Sequence, residues 1–211
     1  MSVNEWKEVF TTIGSIVVGF ILACGQLYTI IKMKKQEKEK EEKSKASKNY
    51  GKRIKEENKY TVKIQEEIEE LRQALNADRV QVLEFHNGTD FSTRKGYKMD
   101  CTYETTKYGN ETAKGILQNY PTTLLPTFMS RIIEDKLYFV PNIEQLMQTD
   151  MSTYAMKMNM HVSSFYDVSL EDNGDTIGIL AVQYTEPKNL NEDEKAIIHA
   201  KKIIIEELLK S

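Results

Sequence analysis

The chain has 211 residues, with 29 Lys and Arg against 32 Asp and Glu, and a net charge of −3. That near-balance, without a basic patch interleaved with aromatics, speaks against nucleic acid as a partner, and two cysteines are too few for a disulfide scaffold. The charge is uneven: residues 1–31 carry −1, residues 32–59 carry +6, and the remainder carries −8.

Residues 1–8 form a short polar flank that contains Glu5, Lys7 and Glu8. Val9–Ile31 then runs for 23 residues without a charge and is followed at once by Lys32, Lys34 and Lys35. At about 1.5 Å per residue such a helix spans a hydrocarbon core of roughly 30 Å. A secretory signal has a shorter apolar core and its basic residues in front, so a retained membrane anchor is the expectation. Lysines beside a span stay on the cytoplasmic side. The expected protein is thus single-pass in the inner or plasma membrane, its N-terminus outside and its C-terminal domain cytoplasmic. Membrane lipid is the expected partner of residues 9–31 and of the flank Lys32, Lys34 and Lys35, each cation contributing about 1 kcal/mol near an anionic surface.

Residues 32–53 have almost no large apolar side chain and read as a charged spacer. From 54 to 76 a heptad trace appears, with Ile54, Thr61, Ile68 and Leu75 seven apart and Ile64 and Leu71 on the intervening seam. This stalk helix wants a partner. Either a second copy of the chain supplies it, as a parallel coiled-coil homodimer, or the following domain does.

Residues 77–211 read as one α+β domain. Arg79–His86 is strand-like and Asn87-Gly88 is expected to stop it. Tyr97–Thr105 alternates Tyr97, Met99, Cys101 and Tyr103 against polar residues, the pattern of a half-buried strand. Thr112–Tyr120 and Thr122–Glu134 are expected as helices, Lys136–Val140 as a short strand, and Glu144–Met158 as one or two short helices. His161–Leu170 and Thr176–Tyr184 flank Asn173-Gly174, the signal of a tight hairpin. The second of these strands is apolar on both faces and belongs in the middle of the sheet. Asn191 and Glu194 form a capping box for a last helix, whose expected stripe is Ile197, Ile198, Ile204, Ile205, Leu208 and Leu209.

This order of elements resembles the GAF domain, a small-molecule sensor module, over about Lys55 to Ser211. The likeness is most specific in HVSSFYDVSLEDNGDTIGILAVQYTEPKNLNEDEKAII, with its hairpin centred on Gly178 and Leu180, and in YFVPNI at Tyr138–Ile143. Asn142 stands where the family usually has Asp, and Ile143 occupies an acidic position of the cyclic-nucleotide signature, to which only Phe139 and Glu144 conform. Cyclic nucleotides are therefore not implied. The FHNG turn and CTYE strand also resemble membrane-anchored proteins of bacteria and their phages.

The resemblance implies a ligand on the sheet face turned away from the terminal helices. The site candidates are His86, Asn87, Cys101, Tyr103, Phe139, Asn142 and His161. His86 can hydrogen-bond a ligand or merely satisfy a backbone group in the turn. Asn87 is a turn former as well as a candidate. Cys101 evokes the GAF subfamily that reduces free methionine sulfoxide, but the one other thiol, Cys24, lies in the apolar run. His86, His161 and His199 lack metal-ligand spacing, and no cofactor motif is present. The expectation is a non-catalytic sensor or interaction module that binds an unidentified small molecule or protein. The alternative is a scaffold whose GAF-like domain is an empty oligomerisation platform.

Overall fold

The alternation of apolar residues after Ala77 builds an antiparallel sheet covered on both faces. The computed structural model describes residues 32–35, 50–90 and 95–210. The expected span Val9–Ile31 and most of the spacer lie outside them. Among the described residues no helix is long and apolar enough to cross a membrane. Compactness divides the chain into Met1–Glu57 and Asn58–Ser211. Residues 32–35 and 50–57 of the first unit are helical and exposed.

In the second unit, residues 58–75 form helix α1. There follow β1 (Arg79–Asp90), β2 (Lys95–Thr106), β3 (Tyr120–Pro121), α2 (Pro126–Ser130), β4 (Leu137–Val140), α3 (Met151–Asn159), β5 (Ser164–Asp172), β6 (Asp175–Tyr184) and α4 (Glu192–Leu209). The strand order is β3-β2-β1-β6-β5-β4, so the doubly apolar β6 lies inside the sheet, as expected. Asn173 and Gly174 both take positive φ, 49° and 88°, and close the β5–β6 hairpin.

One sheet face packs on α1 and α4. Ile64, Ile68, Leu71 and Leu75 are buried there against Val80, Val82, Val168, Leu180 and Val182. The C-terminal part of the heptad stripe is therefore satisfied by its own domain, and a coiled coil cannot also use it. Lys201 of α4 reaches Glu67 and Glu70 of α1 at 2.5 and 2.6 Å, locking the two helices side by side. On α4 only Ile198 and Ile205, seven apart, are fully buried. Ile197 and Ile204 of the expected stripe are exposed, because α1 takes up the rest of the sheet face and leaves α4 a narrow seam.

The other face is covered by the segments between β2 and β5, around Leu117, Leu125, Phe128, Ile132, Ile143 and Met156. The expected helix Thr112–Tyr120 does not form. Its backbone and side chains serve β2 instead: Cys101 N–H donates to Leu117 O at 2.9 Å and Gln118 Nε2 to Cys101 O at 2.9 Å. The next expected helix is broken into a 3-10 turn (Thr122–Leu124), α2 and a π turn (Arg131–Asp135). Pro126, at the start of α2, has no N–H to continue the preceding turn. Nor does β1 stop at Asn87-Gly88. It runs on because Gly88 lets the hairpin strands close; a Cβ there would lie 2.1 Å from Gly96 O.

Candidate functional site

A fork in the sheet creates the candidate site. β1 and β6 pair from Arg79/Gln183 to Glu84/Gly178 and no further. Beyond that point β1 continues only with β2, and the first residues of β6 pair only with β5. At the fork a Cβ on Gly178 would sit 2.3 Å from Leu83 O, so glycine is required for the two strands to meet.

Past the fork the strands part around a cleft of about 740 Å³. Phe85 and Tyr97 form one wall, and Gly174, Asp175 and Thr176 at the hairpin tip form another. Thr122, Thr123, Pro126, Met129, Ile133 and Lys136 complete the lining. The volume falls within the roughly 300–1,000 Å³ of small-molecule sites, whose walls are mostly apolar with a few polar groups. Local sequence explains these walls. Leu125, Phe128 and Ile132 satisfy the core, which leaves Met129 and Ile133 as a second apolar row facing the cleft.

Lys136 is the cleft's cation, and its backbone is unusual. It follows the π turn with φ 62°, a left-handed conformation uncommon for a residue with a side chain. π turns recur at functional sites. Its ammonium lies 2.7 Å from Glu171 Oε1 and 3.2 Å from Thr176 Oγ1. That contact holds the Glu171 carboxyl below the usual carboxylate range. A register shift between Leu170 and Glu171 leaves Ile177 of β6 as an extra residue, and Glu171 pairs with Thr176 beyond it.

The same sheet face carries a buried polar layer. Lys157 of α3 and Asp167 of β5 are both essentially inaccessible and pair at 2.6 Å, with the Lys157 ammonium 4.0 Å from the Phe165 ring centre. Burial pushes Lys157 down and Asp167 up, each opposed by the attraction of the other. Nearer β1, Glu104 accepts from Gln81 Nε2 at 2.8 Å and Ala113 N–H at 3.0 Å, while Arg79 Nη1 donates to Gln183 Oε1 at 3.1 Å.

The seven residues singled out in the sequence are not brought together, and none lines the cleft. Tyr103 lies on the helix-covered face with Val82, because an extra residue, Thr102, bulges from β2 between Cys101 and Tyr103 and flips the alternation. Phe139 also faces the helices, 5.5 Å from Tyr166 centre to centre. Cys101 is buried on the opposite face with its thiol pushed up to about 12 by burial. Asn142 caps the 3-10 turn Ile143–Leu146 by accepting from Glu144 N–H at 3.0 Å. His86 Nε2 is 3.2 Å from Asp100 Oδ1 without hydrogen-bond alignment, and Asn87 is exposed beside it, its carbonyl 3.2 Å from His86 Nδ1. His161 takes φ 56° at a turn, beside Asp78 and Arg79. Phe85, one residue before His86, was the position on the cleft. The usable signal lay in Leu124–Ile133, which holds more apolar residues than one buried stripe consumes. Among the described residues no group of three or more His, Cys, Asp or Glu is placed to hold a metal.

Such a sheet, covered by terminal helices on one face and by short helices and the cleft on the other, is an α+β domain. The fold is GAF-like. A GAF domain of Synechocystis in its photoproduct state superimposes with a TM-score of 0.56 at 19% identity, over 70% of this chain and 90% of its own. The phycocyanobilin-bound GAF domain of a cyanobacterial phytochrome gives 0.57 at 16%, over 74% and 87%. The blue-light-absorbing PixJ GAF domain of Thermosynechococcus elongatus gives 0.53 at 15%, over 72% and 87%. No protein-family model matches the chain. No curated protein matches it either.

Proposed function

We propose that this protein is a membrane-anchored, GAF-like sensor that binds a small molecule in the forked cleft and has no catalytic activity of its own. The observation that carries the proposal is the 740 Å³ apolar cleft on the sheet face opposite the terminal helices. Against a sulfoxide reductase stands Cys101, whose burial disfavours the thiolate that such chemistry needs. Anchoring is supported by the uncharged run Val9–Ile31, and its lysine collar favours a cytoplasmic domain. Output passes by association with a second copy. The heptad seam from Ile64 to Leu75 is occupied, so the outer side of α4, with Ile197, Ile203 and Ile204 exposed, is the surface favoured for it.

The test is a thermal-shift screen of small aromatic and hydrocarbon compounds, phycocyanobilin among them. Compounds that occupy the cleft raise the melting temperature of the wild type and lose that effect in Ile133→Lys, a change at an exposed wall position. Hits that stabilise both proteins equally would place the ligand elsewhere. A screen without hits would favour the scaffold alternative. Protease added to the outside of intact cells should spare the domain; digestion of residues 58–211 would overturn the topology.

A further inference from the structure

Provided the cleft is the ligand site proposed above, we infer that its ligand has an apolar body and one acidic group, and that this acid takes Lys136 from Glu171 and thereby alters the hold on α4. The lining has aromatic and aliphatic walls, one cation in Lys136 and one carboxylate in Asp175. Lys136 is partly exposed and so can be reached by a guest. A neutral guest offers its ammonium nothing that Glu171 and Thr176 do not already supply.

Glu171 stands between two cations. One is Lys136 on the cleft at 2.7 Å, and the other is Lys202 on α4, 3.6 Å from its second oxygen. Lys202 is also 2.8 Å from Glu206, which accepts the Glu171 backbone N–H at 2.7 Å. Lys136, Glu171, Lys202 and Glu206 therefore form an unbroken polar chain from the cleft wall to the last helix. When an acid occupies Lys136, Glu171 keeps only Lys202 and competes with Glu206 for it. The exchange rearranges a polar attachment that joins α4 to the end of β5, next to the Lys210–Asp172 pair at 3.8 Å. Coupling of this kind is reciprocal, so weakening the α4 end changes acid binding as well.

The experiment uses the full chain in lipid nanodiscs, with empty discs as the blank. Naphthalene-2-carboxylate and the uncharged naphthalene-2-methanol are titrated calorimetrically, and hydrogen exchange of α4 is followed by mass spectrometry. Dodecanoate is a further arm that separates a fatty-acid source from an aromatic acid. The acid is expected to bind about three- to fivefold more tightly than the alcohol, the weight of a partly exposed ion pair, and Lys136→Gln should abolish the difference. Glu171→Gln frees Lys136 and should tighten acid binding about threefold. The acid should speed exchange in residues 202–209 of the wild type and leave them unchanged in Glu171→Gln. Equal binding of acid and alcohol by the wild type, with Lys136→Gln indifferent, would overturn the inference while leaving the cleft as the site. Binding of neither compound would remove the cleft and the inference together.

Discussion

Replacing Lys157 by Met tests the buried polar layer that supports the candidate site. The Lys157 and Asp167 side chains are 2% and 0% exposed and meet at 2.6 Å. Among the described residues Asp167 Oδ2 accepts from Lys157 and Oδ1 has no hydrogen-bond partner, so losing the ammonium removes the hydrogen bond that the carboxylate has. Removing one partner of such a pair leaves an uncompensated buried charge and costs about 3–5 kcal/mol. Replacing both, as Lys157→Met with Asp167→Leu, removes the desolvation of both groups and should return stability to within about 1 kcal/mol of the wild type or above it. The single variant has a distinct pH signature. Burial raises Asp167 above the usual carboxylate range and the attraction of Lys157 opposes that rise, so without Lys157 its folded-state value climbs further. The penalty is then full above that raised value and shrinks as pH falls through it, where Asp167 becomes protonated in the folded state. Urea unfolding followed by near-ultraviolet circular dichroism between pH 4 and 8 measures both effects. A single variant within about 1 kcal/mol of wild type at pH 7, or a double variant as unstable as the single one, would refute the reasoning.

Ile68→Ala on α1 should cost about 2–5 kcal/mol because its side chain is fully buried, whereas Ile204→Ala on α4 should cost under about 0.5 kcal/mol; unfolding midpoints that rank the two the other way would mean that α1 does not pack on the sheet. Gly178→Ala places a methyl 2.3 Å from Leu83 O and should destabilise by at least about 1–3 kcal/mol, with the loss of amide protection concentrated in β1 and β6. Glu69 is held down to about 2, chiefly by its hydrogen bond from Arg72. Its stabilisation is present above the unfolded value of about 4.3 and is lost as pH falls toward 2, so Glu69→Gln should flatten the acid limb of the stability profile, by about 1 kcal/mol for a half-buried pair still screened by solvent. Cys101 should resist alkylation at pH 8 in the folded protein and react on unfolding; rapid labelling of the native chain would mean that its strand face opens.

Much of the sheet was legible because its strands obey local chemistry. Asn173-Gly174 dictates the hairpin, the unbroken apolar run of β6 requires an interior place, and Asn191 with Glu194 forms the capping box, whose two hydrogen bonds are both 2.9 Å. Long-range pairing decided the rest. Thr112–Tyr120 has the composition of a helix, yet β2 captures its hydrogen-bonding groups. The extra residue at Thr102 reverses which face Tyr103 occupies, and period-2 counting has no means of registering it. The cleft was not legible for a related reason. Its walls are Phe85, Tyr97, Met129 and Ile133, residues that look like ordinary core in one dimension, and the space between them arises only where β1 and β6 separate. The sequence drew attention to two histidines, two asparagines, a cysteine, a tyrosine and a phenylalanine, which the fold places in turns, a cap and packed faces.

The fork at Glu84 and Gly178 also bears on how a guest could enter. The two ribbons beyond it, β1 with β2 and β5 with β6, share no rung there, so prising them apart sacrifices no interstrand hydrogen bond between them. Admission then needs only a flexing of two hairpins about their common root, a motion on the microsecond scale of loops rather than the far slower scale of local unfolding.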